Sequence, residues 1–173
     1  MVEVQNVLLV DGYNMIGAWP ELAELAKIGM QEARDRLLER LADFQAFSGW
    51  KVIAVFDAYQ VPGLGKAFKQ RRVQIYFTKE KETADECIER LVRELSNRLR
   101  RIYVATSDMI EQHVIFGQGA LRLSARELRT MLDQSERELK ERIVEESRTS
   151  SRNTVAGKLS PELLIELERL RRQ

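Results

Sequence analysis

The sequence predicts an α/β fold, with a central, mainly parallel sheet of about four or five strands flanked by helices. Four apolar runs carry that expectation: Val7–Val10, Val52–Phe56, Val73–Phe77 and Ile102–Thr106. Each has the length and Val/Ile/Phe content of a strand buried on both faces, as parallel strands are. Stretches of helical period lie between them, so the connections read as βα units. A further observation concerns chemistry. The runs lead into Asp11, Asp57, the Glu80/Glu82/Asp85 group and Ser107-Asp108. In a parallel sheet the strands point one way and ligands bind beyond their carboxyl ends, so these acids would gather on one rim. Carboxylates collected there repel each other unless a hard cation such as Mg²⁺ or Mn²⁺ joins them.

After the first strand, Gly12 and Gly17 read as punctuation of a turn, with Gly12 allowing a sharp bend behind Asp11. Trp19-Pro20 leads into a helix near 21–27, which Gly29 interrupts. A longer amphipathic helix follows over about 31–47, with Ala33, Leu37, Leu41 and Phe44 on one face and Ser48-Gly49 at its C-cap. Strand two is expected at 51–56. Residues 61–72 hold Pro62, Gly63 and Gly65 and then four basic residues, and read as a loop. Strand three, 73–77, precedes a capping box, Thr83-Ala84-Asp85-Glu86, and a helix whose buried stripe is Cys87, Ile88, Leu91 and Leu95. Strand four, 101–106, is followed by a short helix over about 109–116 and a short fifth strand around Leu121 and Leu123. Ser124 opens a second capping box, with Glu127, and a helix expected to reach about residue 146. Residues 147–160, rich in Ser, Thr, Asn, Arg and Gly, read as a flexible linker. Ser160-Pro161 then starts a last helix, 161–171, whose leucine stripe is expected to pack on a core. The organisation is one domain over 1–146, with linker and helix over 147–173.

The 173 residues suffice for a sizeable core, and 44% hydrophobic with 32% charged residues is ordinary for a globular protein. No apolar stretch is long enough to span a bilayer, and the acidic start running straight into a strand argues against a secretory signal. Cys87 is alone, so a disulfide framework is excluded and a reducing, cytoplasmic setting fits. A net charge of +1 gives no global attraction to nucleic acid, so any such binding must rest on local patches.

Several chemistries are disfavoured. His113 is the single histidine, which excludes a His pair for zinc and leaves nucleophilic triads unsupported. Gly63-Leu64-Gly65-Lys66 lacks the spacing of a phosphate-binding P-loop. Asp11, Asp85 and Asp108 stand as the candidate centre, with Glu82 as a fourth acid and Asp57 in support. Each acid alone has a structural alternative: Asp85 suits a helix N-terminus, and Ser107 or Asp108 suits an N-cap. Their recurrence at successive strand ends favours function. Asn14 is placed to orient Asp11 or hold a metal-bound water. Lys66, Lys69, Arg71 and Arg72, with Tyr59 and Phe68 nearby, form a candidate single-strand RNA contact, and Arg122, Arg126 and Arg129 form a second basic strip. Basic strips around an acidic centre suit a polyanion substrate.

Five motifs in series also carry a resemblance. Leu8-Leu9-Val10-Asp11-Gly12-Tyr13-Asn14-Met15-Ile16-Gly17, Phe56-Asp57-Ala58, Phe77-Thr78 with Glu80, Glu82 and Thr83-Ala84-Asp85, Ala105-Thr106-Ser107-Asp108, and Gly119 through Leu128 resemble the YacP-like NYN-domain ribonucleases of the PIN-like nuclease class. The resemblance runs from about Val7 to Leu132. It implies a PIN-like (NYN) fold, Mg²⁺- or Mn²⁺-dependent endoribonuclease activity, and products with 5′-phosphate and 3′-hydroxyl ends. For some bacterial members it implies cleavage of messenger RNA on the ribosome. Asp11, Asp85 and Asp108 match the family's acidic centre, with Asn14 and Glu82 as additions. Two rival readings stand beside it: a non-catalytic RNA- or ribosome-binding module, and a metal-dependent phosphoesterase acting on small molecules.

Overall fold

The computed structural model describes residues 3–58, 67–70, 72–79, 81–107, 119–157 and 161–172. They fall into two compact units, Met1–Ser135 and Glu136–Gln173.

The first unit is built on a six-stranded sheet. Its strands are β1 (Gln5–Asp11), β2 (Lys51–Phe56), β3 (Ala67–Gln70), β4 (Val73–Phe77), β5 (Arg100–Ala105) and β6 (Leu121–Leu123), in the spatial order β3-β4-β2-β1-β5-β6. Every neighbouring pair is parallel except β3–β4. β1 is therefore interior, paired to β2 on one side (Asp11 opposite Val55) and β5 on the other (Val10 opposite Ala105). Its alternate side chains feed two cores. Leu8 and Val10 pack with Met15, Trp19, Leu37 and Leu128 on one face, while Val7 and Leu9 pack with Ala84, Cys87, Ile88 and Leu91 on the other.

Helices α1 (Gly12–Ala18), α2 (Pro20–Ile28) and α3 (Met30–Ser48) contribute to the first core, as does the start of α5 (Ala125–Gly157). Trp19 is buried, and its Nε1–H donates to the Ala125 carbonyl at 2.8 Å, satisfying the one polar atom on a large apolar ring. Arg40 on α3 lies over that ring, 5.4 Å from its centroid, and is held by Glu21 at 3.2 Å and Asp133 at 2.5 Å. α3 ends at Gly49, whose φ of 74° is the left-handed C-cap conformation that glycine takes without a Cβ penalty. On the second face, α4 (Ala84–Leu95) is capped as its sequence requires, the Thr83 hydroxyl accepting from the Glu86 N–H at 3.2 Å. Burial of Cys87, Ile88, Leu91 and Val92 at helical spacing fixes its orientation, each larger side chain contributing about 1.5–3 kcal/mol.

Three expectations about secondary structure need correction. Residues 61–72 are not loop throughout, because Ala67–Gln70 forms β3, an antiparallel edge strand turning directly into β4. An edge strand pairs on one side only, so it needs no continuous apolar run. Gly12 and Gly17 do not mark a turn, since both lie in α1. An ideal Cβ on Gly12 would sit 2.2 Å from Phe56 Cε1, so glycine is required there for close packing rather than for a bend. Residues 147–157 are not a linker either, for α5 continues to Gly157.

The second unit comprises the distal part of α5 together with α6 (Pro161–Arg171). The expectation that the last leucine stripe packs on a core fails for Leu167 and Leu170, which are exposed, as are Ile143, Val144 and Ile165. A unit of two helices has no third layer to cover its outer faces. Among the described residues no helix is long and apolar enough to cross a membrane.

Candidate active site

The directionality of β1 sets the site. Asp11 is its last residue and is only 8% exposed. By the pleat it shares a side of the sheet with Val7 and Leu9, the side on which α4 packs. α4 begins beyond the carboxyl end of β4, and Asp85, half-buried, lies in its first turn, where the helix dipole favours a carboxylate. Asp11 and Asp85 thus belong to the same rim and the same side, as the strand-end pattern predicts. Asp57 follows β2 on this rim, and the Thr78 hydroxyl reaches its Oδ1 at 3.5 Å, no more than a weak bond. Thr78 itself is fully buried, its N–H bound to the Phe56 carbonyl at 3.0 Å and its Oγ1 accepting from the Ala58 N–H at 2.9 Å.

Asn14 links α1 to the end of β5. Its Oδ1 accepts from the Ser107 N–H at 2.8 Å and from the Ser107 hydroxyl at 2.5 Å. A backbone N–H can only donate, so the amide oxygen must face Ser107 and the Nδ2 group must face away. That Nδ2 has no partner among the described residues. Thr106, buried, anchors the same strand end by donating its N–H to the Leu123 carbonyl at 3.1 Å. Asp108, the third expected acid, lies outside the described residues, one position beyond this anchored pair.

Glu82 has a specific environment. Arg90 holds its Oε1 through Nη2 at 3.0 Å and Nε at 3.2 Å, while Oε2 accepts from the Lys79 N–H at 3.1 Å. The same carboxylate bears on Cys87: burial first, then the Glu82 charge, push that thiol up to about 11. Among the described residues no three His, Cys, Asp or Glu side chains stand close enough to hold a metal ion, Asp108 being outside that set. The donors that Asp11 and Asp85 offer are carboxylate oxygens, which suit a hard divalent cation.

The basic residues separate. Arg126 lies exposed in the first turn of α5, beyond the carboxyl end of β6, and Arg122 is exposed on the edge strand β6. Arg72 is not brought to the acidic rim. It precedes β4, so the β3–β4 turn puts it at the amino-end edge of the sheet, with its carbonyl accepting from Gln45 Nε2 at 2.9 Å. Arg129 is engaged by Glu21 on the other face, at 2.9 Å. Lys66 and Arg71 are outside the described residues, and Lys69 falls within β3. Sequence reasoning missed the pairing of Tyr13 with Arg34, whose Nη1 donates to the phenol oxygen at 3.0 Å. Burial raises the Tyr13 pKa against the opposing pull of Arg34, with the Asp57 charge adding to the rise. Tyr13 lay within the quoted motif, but nothing local in the sequence points from it to Arg34.

A parallel sheet with acids on its carboxyl rim, α4 opening on Asp85 and the Asn14–Ser107 link define a PIN-like α/β protein of the NYN type. The chain belongs to the YacP-like NYN domain family, whose model matches residues 8–172, and so takes in the whole of α5 and α6. It is similar to YacP of Bacillus subtilis (strain 168), with 50% identity over 169 residues, 96% of this chain and 97% of that protein. Among solved structures it is similar to a crystal structure of Rae1 (YacP) from Bacillus subtilis, 49% identical with a TM-score of 0.75, covering 96% of this chain and 94% of that one. A mutant form of the same protein matches with 48% identity and a TM-score of 0.75, over 83% and 85% of the two chains.

Proposed function

We propose that the protein is a divalent-metal-dependent endoribonuclease that hydrolyses single-stranded RNA, with messenger RNA as substrate, the ribosome as partner and the cytoplasm as its setting. The observation that carries this reading is Asp11, a nearly buried carboxylate at the carboxyl end of the interior strand, on the side where Asp85 opens α4. A binding module for polyanions gains nothing from acids in that position. Membership of the YacP-like NYN family supports the same reading.

Asp11, Asp85 and Asp108 would hold Mg²⁺ or Mn²⁺, and such an ion supplies Lewis-acid charge at the scissile phosphate and lowers the pKa of water. The remaining work falls to the chain's own groups. Asn14, its oxygen committed to Ser107, presents its Nδ2 hydrogens as donors for a phosphate oxygen. Glu82 fixes Arg90 and the Lys79 backbone beside the start of α4, and so positions Asp85 rather than acting alone. Arg126 provides a cation for the RNA backbone next to the rim.

The test is Mn²⁺ calorimetry and cleavage of ribosome-bound messenger RNA by the wild type and by Asp11→Asn with Asp85→Asn. Metal binding and cleavage should both vanish in the double variant, while circular dichroism stays native, and the wild-type products should carry 5′-phosphates. A wild type that binds RNA or ribosomes but no metal would replace this reading with that of a binding module.

A further inference from the structure

A cavity of about 320 Å³ opens at the far end of the sheet from the acidic rim, between the C-terminus of α4, the start of β5 and the approach to β6. Ser96, Arg98, Arg100 and Arg101 line it, over a floor that includes Val92 and Ile102. Among the described residues no carboxylate lines it. Arg100 has a structural duty, its Nη1 donating to the Leu95 carbonyl at 3.3 Å and so capping the last turn of α4. Arg98 and Arg101 have none: both are exposed, and neither side chain makes a hydrogen bond or ion pair among the described residues. Three guanidinium groups around one concavity repel each other unless an anion lies between them. Their forked donors match phosphate oxygens, and an apolar floor beneath suits the flat face of a base.

We propose that this cavity is a second RNA site, in which Arg98 and Arg101 hold a backbone phosphate and the apolar floor takes the attached nucleotide, away from the strand being cut. The site rests on the reading of the protein as an RNA-cleaving enzyme, but not on its chemistry. From Arg101 in the cavity to Ala105 beside the rim is four residues along β5, roughly 13 Å at about 3.3 Å per residue. Scissile bond and anchor are therefore different parts of a long or folded RNA.

The experiment measures binding of a labelled single-stranded RNA by anisotropy in EDTA, where no metal-dependent cleavage occurs, across a salt series. Cleavage in Mn²⁺ is followed in parallel. Arg98→Gln with Arg101→Gln should weaken binding roughly tenfold and make the log–log salt slope shallower by about 0.7, the one phosphate released. Arg98→Lys with Arg101→Lys should retain the slope. Affinity and slope equal to wild type in the glutamine variant would overturn the proposal, as would a cavity that takes up adenosine monophosphate while RNA binding is unchanged. Intact cleavage with no binding change sinks the anchor alone. Lost binding in the variant, with no cleavage by the wild type, supports the anchor and sinks the nuclease reading alone.

Discussion

Gly12→Ala is the substitution whose cost can best be worked from the structure. An ideal Cβ at Gly12 would lie 2.2, 2.6 and 2.8 Å from Cε1, Cδ1 and Cζ of Phe56. Ordinary carbon contacts begin near about 3.5 Å, so the ring must retreat by about 1.3 Å. It has nowhere to go. Phe56 is fully buried, stacked on Phe77 at 5.7 Å and met edge-on by Tyr13 at 5.1 Å. Overpacking costs about 1–3 kcal/mol, and disturbing each aromatic pair adds about 0.5–1.5 kcal/mol. Alanine's better helix propensity at the start of α1 returns at most about 1 kcal/mol. The net expectation is a loss of about 2–3 kcal/mol in urea unfolding. The sign should reverse once the ring is gone: in a Phe56→Ala background, Gly12→Ala should be neutral or stabilising by up to about 1 kcal/mol, a coupling near 3 kcal/mol. An equal cost in both backgrounds would refute the steric argument and return Gly12 to a role in backbone conformation.

Four further outcomes are expected. Arg40→Ala should cost about 2 kcal/mol and lower Tm by about 5 °C, because it strands Asp133 and leaves Glu21 to Arg129 alone, while their exposure of 47% and 38% allows partial rehydration; Arg40→Met, keeping a stem over Trp19, should cost less than about 1 kcal/mol. Ser107→Ala leaves its N–H on Asn14 and should slow RNA cleavage by less than about tenfold, whereas Asn14→Ala removes both bonds and should slow it further, a ranking that single-turnover rates would check. Because the Cys87 thiol is raised from 9.0 to about 11, its contribution to stability is fully present below pH 9 and lost as pH rises towards 11, at up to about 1.4 kcal/mol per unit; Cys87→Ala should flatten that alkaline limb in urea titrations. Arg72→Gly should raise stability by about 0.5–1 kcal/mol in thermal melts, since Arg72 sits at a left-handed φ of 70°, and should leave cleavage at the rim unchanged.

Burial on both faces made most of the sheet legible. β1, β2, β4 and β5 are continuous apolar runs, and their expected bounds hold to within a residue or two. Elements that need no apolar run stayed hidden. β3, Ala-Phe-Lys-Gln, pairs with β4 alone; α1 carries two glycines and buries few residues beyond Met15 and Ile16; the far part of α5 is exposed on all sides and so has no stripe to detect. In the site, Asp11, Asp85 and the Asn14–Ser107 neighbourhood followed from strand ends and one helix cap. The Glu82–Arg90 pair spans eight residues and was in principle within reach of helical spacing from the capping box. Tyr13–Arg34 and the Arg40 pairs join separate elements, and no local pattern encodes them.

The misplacement of Arg72 has a physical origin that also explains the cavity of arginines. In a parallel sheet, residues just after a strand collect on one edge and residues just before a strand collect on the other, whatever their distance in sequence. Asp11, Asp57 and Ser107 follow their strands; Arg72, Arg98 and the opening residues of β5 precede or begin theirs. Arg72 is close in sequence to the glycine-rich stretch, yet β3 runs antiparallel and carries the chain from the acidic edge to the opposite one before the turn. On the proposed function, acids at one end and guanidinium groups at the other would perform separable tasks. A change at the carboxyl edge should then lower kcat. On the proposed anchor, a change at Arg98 or Arg101 should raise KM with salt-dependent severity, leaving kcat in place.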